Sequence, residues 1–273
     1  MGKHDMTKGK VLAIAAHPDD IEFMMAGTLI LLAEAGYDLH MMNIANGSCG
    51  TATEDRDAIV ARRLNEARDA AAAIGAQLHL PVVNDLEIFY TLEQLQKVAA
   101  VLRAVQPAIL LVQSPEDYME DHMNACRLAV SAAFFRGMRN FVTDPPLPPV
   151  TGNVTVYHAL PYGLRDGLRR VIRPGLYVDI TSVIDRKRAA LACHRSQKEW
   201  LDHSQGLDSY LHAMENMARE VGAWSGCFAF AEGWRRHAHL GFCAPDDDPL
   251  ATALNERVLV DDAYERGLES QGF

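Results

Sequence analysis

His17-Pro18-Asp19-Asp20 puts an imidazole and two carboxylates on four consecutive residues. Neutral imidazole and carboxylate oxygen are both good ligands for a borderline divalent ion such as zinc, and the same groups can move protons. Asp20 alone reads as a cap for the helix that Ile21-Glu22-Phe23 would begin. His17 shifts the balance toward chemistry, but this turn still lacks a third ligand. A second stretch, Ser114-Pro115-Glu116-Asp117-Tyr118-Met119-Glu120-Asp121-His122, ends in Asp-His where a helix would start. If His122 approaches His17 and Asp20, the His-Asp-His set with an open position suits catalytic zinc rather than a structural site filled by four protein ligands.

Both stretches follow apolar runs, Val11-Leu12-Ala13-Ile14-Ala15-Ala16 and Ala108-Ile109-Leu110-Leu111-Val112-Gln113. Runs of that kind read as strands covered on both faces, and ligands of open α/β sheets bind beyond the carboxyl ends of such strands. The rest of the chain alternates in the same way. Residues 26–35 read as a helix stopped by Gly36 and residues 38–45 as a strand, completing a βαβ unit. Helices are expected at 54–74, 92–105 and 123–137, strands at 78–80, 154–158 and 176–180. A long helix containing Lys187 and His194 and a further helical run at 207–221 complete the pattern, while the proline-rich 144–149 is a loop. This predicts one α/β domain over 1–243. Residues 244–273 hold eight acids and two bases and read as a solvated acidic tail.

The composition excludes several functions. A net charge of −10 argues against nucleic acid and anionic membranes as partners, which leaves small molecules. No stretch of about 20 apolar residues appears. The polar first ten residues are unlike a signal peptide, so a cytoplasmic protein is expected. Cys49, Cys126, Cys193, Cys227 and Cys243 include no Cys-x-x-Cys pair, so free thiols are expected, with Cys49 in a glycine-bearing loop that borders a pocket. Neither a Gly-x-Gly-x-x-Gly turn nor a Gly-x-Ser-x-Gly elbow is present, which argues against dinucleotide binding and serine-nucleophile chemistry.

The segment Ala16-His17-Pro18-Asp19-Asp20-Ile21-Glu22, followed by Gly27-Thr28, resembles the LmbE-like, or PIG-L, family of zinc-dependent N-acetylglucosaminyl de-N-acetylases. Weaker agreement comes from Asn46-Gly47, Arg63-Leu64-Asn65-Glu66, His194-Arg195-Ser196-Gln197 and Ala231-Glu232-Gly233-Trp234, so the resemblance covers residues 11–234. It implies a Rossmann-like, doubly wound, mainly parallel sheet with a zinc site at its carboxyl edge. It also implies His17, Asp20 and His122 as metal ligands, Asp19 as the base on the attacking water, and an N-acetylglucosamine-type conjugate as substrate. Iron(II) accepts the same ligands as zinc, and a homo-oligomer is compatible with the resemblance.

One departure matters. The family usually carries His-Pro-Asp-His where this chain has Met119-Glu120-Asp121-His122, and a thioether cannot donate the proton that the first histidine supplies. Asp19 must then make both proton transfers, or Asp121, His158, Tyr118 or Glu120 must help, or turnover is lost. The last case describes a metal-binding homologue that senses a sugar conjugate without hydrolysing it. Glu22, Arg63, Met119 and Glu232 are the expected substrate contacts.

Overall fold

A computed structural model describes residues 8–205 and 209–270. The first apolar run forms β1 (Lys10–Ala15), whose alternate side chains enter two different cores. Val11, Ala13 and Ala15 face one layer with Leu29, Ile30 and Trp234, whereas Leu12 and Ile14 face another with Val98, Leu102 and Ala129. A strand packed on both faces has no polar side to show, which is why the run reads as uninterrupted apolar sequence.

From β1 the chain passes through α1 (Asp20–Met24) and α2 (Ala26–Glu34) to β2 (Asp38–Asn43), then α3 (Arg56–Ile74), β3 (Ala76–His79) and α4 (Leu92–Val105). The ends of α3 follow local chemistry. Asp55 accepts the Ala58 N–H at its start, and Gly75 terminates it at φ 76°, a conformation glycine adopts without strain. Next come β4 (Ile109–Val112), α5 (Glu120–Phe135), β5 (Thr155–Ala159), β6 (Leu176–Asp179), α6 (Ile184–Leu191), α7 (Arg195–Gln205), α8 (Ser209–Ser225) and β7 (Ala231–Arg236). The predicted long helix through Lys187 and His194 is divided, with His194 in the break between α6 and α7. The chain closes with α9 (Pro249–Leu254), β8 (Val258–Val260) and α10 (Asp262–Ser270).

The strands form one eight-stranded sheet in the order β3-β2-β1-β4-β5-β7-β6-β8. The first five are mutually parallel, and β7, β6 and β8 extend the sheet in antiparallel pairs. The order reverses at β1: the chain walks outward to β3 and then returns to lay β4 on the other side of β1, with Ile14 opposite Val112. That reversal leaves a crevice beyond the carboxyl ends of β1 and β4, where both chemistry-bearing turns emerge. No helix among the described residues is long and apolar enough to cross a membrane.

The acidic segment departs from expectation. Residues 244–270 are not a solvated tail outside the domain: β8 pairs with β6, and Leu250 and Leu254 are buried in the main core. Asp248 caps α9 and accepts the Tyr157 hydroxyl at 2.6 Å. Net charge conceals this because the apolar residues that dock are few, and Asp248 is tied to the buried Tyr157 rather than solvated.

Candidate metal and catalytic site

Neighbouring strands fix the turn that follows β1. The Ala16 N–H donates to Gln113 Oε1 at 2.9 Å just beyond β4, and Asn43 at the end of β2 donates from Nδ2 to the His17 carbonyl at 2.6 Å. Asp20 Oδ2 accepts the His17 backbone N–H at 2.8 Å. His122 arrives from the first turn of α5. His17 Nδ1 lies 3.5 Å from Asp20 Oδ2, and His122 Nε2 lies 3.5 Å from Asp20 Oδ1. One ligand atom from each of the three residues lies within 4.8 Å of the others.

The remaining nitrogen of each imidazole meets a carboxylate. His17 Nε2 is 2.9 Å from Asp121 Oδ2, and His122 Nδ1 is 3.0 Å from Asp117 Oδ1. Donation of those outer N–H groups fixes each ring's tautomer and leaves the inner nitrogen as an acceptor for a cation. Burial disfavours a charged His17, but the carboxylates of Asp121 and Asp20 outweigh it and hold the imidazole up at about 10. Burial likewise opposes ionisation of Asp20, and His122 and His17 more than compensate, keeping its carboxyl well below the usual range. This donor set fits a divalent cation. Asp121 meets His17 and does not line the cavity. Its replacement by alanine is expected to weaken metal affinity by about 10–100-fold, measured by competition with a chelator; an unchanged affinity would mean that His17 holds its orientation without that carboxylate.

Asp19 sits beside the cluster at φ 116° and ψ −27°, a conformation costly for a residue with a side chain and concentrated at functional positions. Its carboxylate is gripped from two sides. Arg63 Nη2 approaches Oδ1 at 3.5 Å while donating to the Pro18 carbonyl, and the Tyr210 hydroxyl donates to Oδ2 at 2.6 Å. Burial pushes the Asp19 carboxyl up, with Arg63 pulling the other way, so the group is a stronger base than an exposed carboxylate.

A cavity of about 280 Å³ opens over these groups, lined by His17, Asp19, Asp20 and His122 with Phe23, Cys49, Arg63, Tyr118, Met119, Tyr162, Gln197, Trp200 and Tyr210. Asp85 at its edge accepts the Gly47 and Cys49 N–H groups at 2.6 and 2.9 Å, fixing the glycine-bearing loop. Arg63 and Met119 therefore stand where substrate contacts were expected.

Three expected site residues stand elsewhere. Glu22 is fully buried behind the wall, 3.3 Å from His194 Nε2. Glu232 accepts the Gly27 and Thr28 N–H groups at 2.8 and 2.7 Å and pairs with Lys187, tying the start of α2 to β7. His158 turns toward α5, with Nδ1 3.2 Å from the Gln113 carbonyl and 3.4 Å from Cys126 Sγ, and with Nε2 2.9 Å from His237 Nδ1. These three side chains support the walls and do not line the cavity.

Burial, reinforced by His237, holds His158 down at about 3, so the native state keeps it neutral while an unfolded chain protonates it near 6.5. Between those values the unfolded state binds the extra proton, and stability is lost as pH falls. His158 alone is expected to cost about 2 kcal/mol between pH 7.5 and 5. Urea unfolding of the wild type and His158→Gln at both pH values reads that difference, and an identical pH dependence in the two proteins would refute it.

Asp117 and Tyr210 were not anticipated as functional residues. Asp117 had a usable signal, since it lies five residues before His122 on the same strand-to-helix turn. Tyr210 had none: it reaches Asp19 from α8, across 191 positions.

Fold and site together define a Rossmann-like α/β domain with a His-Asp-His group able to hold a metal ion at the carboxyl edge of its sheet. The family pattern described as PIG-L: GlcNAc-PI de-N-acetylase matches residues 12–134, the segment that carries both chemistry-bearing turns. Diacetylchitobiose deacetylase of Thermococcus kodakarensis is 29% identical over 195 residues, 69% of this chain and 70% of that protein. 4-Oxalmesaconate hydratase of Pseudomonas putida is 31% identical over 199 residues, 68% of this chain and 73% of that protein. The crystal structure of 4-carboxy-2-hydroxymuconate hydratase from Pseudomonas putida superposes with a TM-score of 0.70 at 25% identity, covering 83% of this chain and 95% of that one. The chain belongs to the PIG-L, or LmbE-like, family.

Proposed function

We propose that the protein is a zinc-dependent amidohydrolase that removes an N-acetyl or related acyl group from a soluble N-acetylglucosamine-type conjugate in the cytoplasm. The observation that carries this reading is the clamped Asp19 carboxylate beside His17, Asp20 and His122 in one cavity. His17, Asp20 and His122 would hold the cation, which when bound makes water a nucleophile near neutral pH and polarises an amide carbonyl. Asp19 takes the proton of the attacking water on Oδ1, the oxygen that does not carry the Tyr210 bond. Arg63 and Tyr210 keep that carboxylate aimed while it changes charge.

The leaving amine needs a proton as the amide C–N bond breaks, and Met119 on the cavity wall has none to give. Asp19 returns the one it took, so a single residue serves as base and then as acid. Phe23, Tyr118, Tyr162 and Trp200 offer ring faces suited to the apolar face of a pyranose.

The hydratase relatives raise a second reading, addition of water to an unsaturated polycarboxylate. Arg63 is the sole Lys or Arg among the described cavity residues, and Pro18 and Asp19 already engage it. A single guanidinium, held at Nη2 though not at Nε, cannot balance a polyanion, which favours an uncharged sugar.

The test is to load the protein with zinc, offer a panel of N-acetylglucosamine conjugates, and detect the freed primary amine, with Asp19→Ala as control. Amine release that vanishes in the control supports the deacetylase. Stoichiometric zinc without amine release across the panel would overturn it in favour of a binding homologue.

A further inference from the structure

Leu86 is unfavourable in its place on two counts. Its backbone is left-handed at φ 65°, a conformation costly for a residue with a large side chain, and that side chain is 61% exposed. The turn has a use for the backbone. The Leu86 N–H donates at 2.8 Å to Asp121 Oδ2, the oxygen that also meets His17, while the preceding Asp85 fixes the loop at Gly47 and Cys49. Glycine would donate the same bond without strain, so the leucine side chain serves nothing in the turn. What remains for it is the catalytic cavity, which it lines. Strained backbone of this kind concentrates where ligands are held.

Met119 shares this condition. It lines the same cavity, and the Asp121 that accepts the Leu86 N–H stands next but one to it in the chain. Among the described residues neither Leu86 nor Met119 packs against an apolar cluster of the fold. The other aliphatic side chains of the cavity, Met24 and Leu201, do, against Phe23, Leu191, Tyr210 and Met214. Two aliphatic side chains on the wall thus have no apolar partner inside the protein. The aromatic walls suit the C–H face of a sugar ring, whereas a leucine and a flexible thioether suit an alkyl chain.

We propose that Leu86 and Met119 receive the acyl side of the scissile amide, so that the preferred substrate carries a short alkanoyl chain on its nitrogen rather than an acetyl group. This rests on the amide-hydrolase reading above and narrows its acyl group. Water supplies the new oxygen of the released alkanoate, and the amine leaves with the proton from Asp19. Chain length therefore changes what the cavity binds and leaves the chemistry as it is.

The test compares N-acetylglucosamine with N-butanoylglucosamine on the zinc-loaded full chain. The butanoyl sugar is expected to have the higher kcat/KM by about tenfold, the effect of burying its two extra methylenes. In Leu86→Gly that ratio is expected to fall toward one while Tm stays at or above the wild-type value, because strain leaves with the side chain. Met119→Ala should lower the ratio as well. Calorimetric binding of both sugars to zinc-loaded Asp19→Asn reads the preference without turnover, with the butanoyl sugar about tenfold tighter and Leu86→Gly in that background abolishing the difference. Equal affinity for the two sugars, a preference that survives Leu86→Gly, or a lowered Tm with an unchanged ratio overturns the acyl site. Amine release from the acetyl sugar alone overturns it too, and leaves the hydrolase reading standing. Leu86-dependent binding of the butanoyl sugar by a protein that releases no amine sustains the acyl site and refutes the hydrolase reading instead.

Discussion

Replacing Asp19 with asparagine is expected to lower amide turnover by about 10²–10⁴-fold while the protein keeps its zinc, because the substitution removes a proton acceptor and little else. Asparagine matches aspartate in shape and tolerates the left-handed backbone at φ 116° better than most side chains. Its single carbonyl oxygen can face the Arg63 guanidinium, while its amide NH2 donates to the Tyr210 hydroxyl, which turns from donor to acceptor. Metal content by mass spectrometry should therefore remain stoichiometric, and KM should change much less than kcat, since what is lost is an interaction made in the transition state. Turnover within tenfold of wild type, with zinc retained, would place the base elsewhere in the cavity. Loss of zinc together with activity would instead make Asp19 part of the ligand set.

Replacing Asp20 with alanine is expected to give the opposite signature, in which zinc and activity disappear together. Asp20 is the only anion of the three-residue cluster, and its two oxygens face the inner nitrogens of both imidazoles at 3.5 Å. Two neutral imidazoles cannot offset the loss of hydration by a divalent cation as two imidazoles and a carboxylate can. The loss of affinity should exceed the 10–100-fold expected from removing an outer carboxylate such as Asp121. Asp20→Asn separates charge from backbone support, because its carbonyl oxygen can still accept the His17 N–H that Asp20 Oδ2 now accepts at 2.8 Å. Both variants should fail to hold zinc through dialysis, and a stoichiometric, active Asp20→Asn protein would exclude Asp20 as an anionic ligand. Read as a pair, the Asp19 and Asp20 variants separate proton transfer from metal binding at adjacent residues.

Much of this site was legible in the sequence because its parts are local. An apolar run covered on both faces ends where polar residues take over, and this holds at His17 and again in the stretch leading to His122. Strand ends, turns and helix starts follow from residues within a few positions of one another, so the turns could be placed without knowing what packs against them. The substitution of methionine at residue 119 was equally local, and so was the question it raises about the acid.

What the sequence left open was the direction and partner of each buried polar side chain. His158 sits on a strand whose residues are all buried, so alternation does not reveal which face it joins, and the packing of α5 and β7 turned it toward Cys126 and His237. Glu22 and Glu232 lie in the resembling segments yet are consumed by His194 and by the start of α2. Asp117, Asp121 and Tyr210 gained their roles only when α5 and α8 packed against the turn after β1. Burial makes an unpaired polar group costly, so each must find a partner, but the partner is whichever group the tertiary structure brings within reach. Sequence alone therefore determined the two turns that carry His17, Asp20 and His122 and the strands that present them; the tertiary structure decided which buried groups steady those turns and which merely hold the walls.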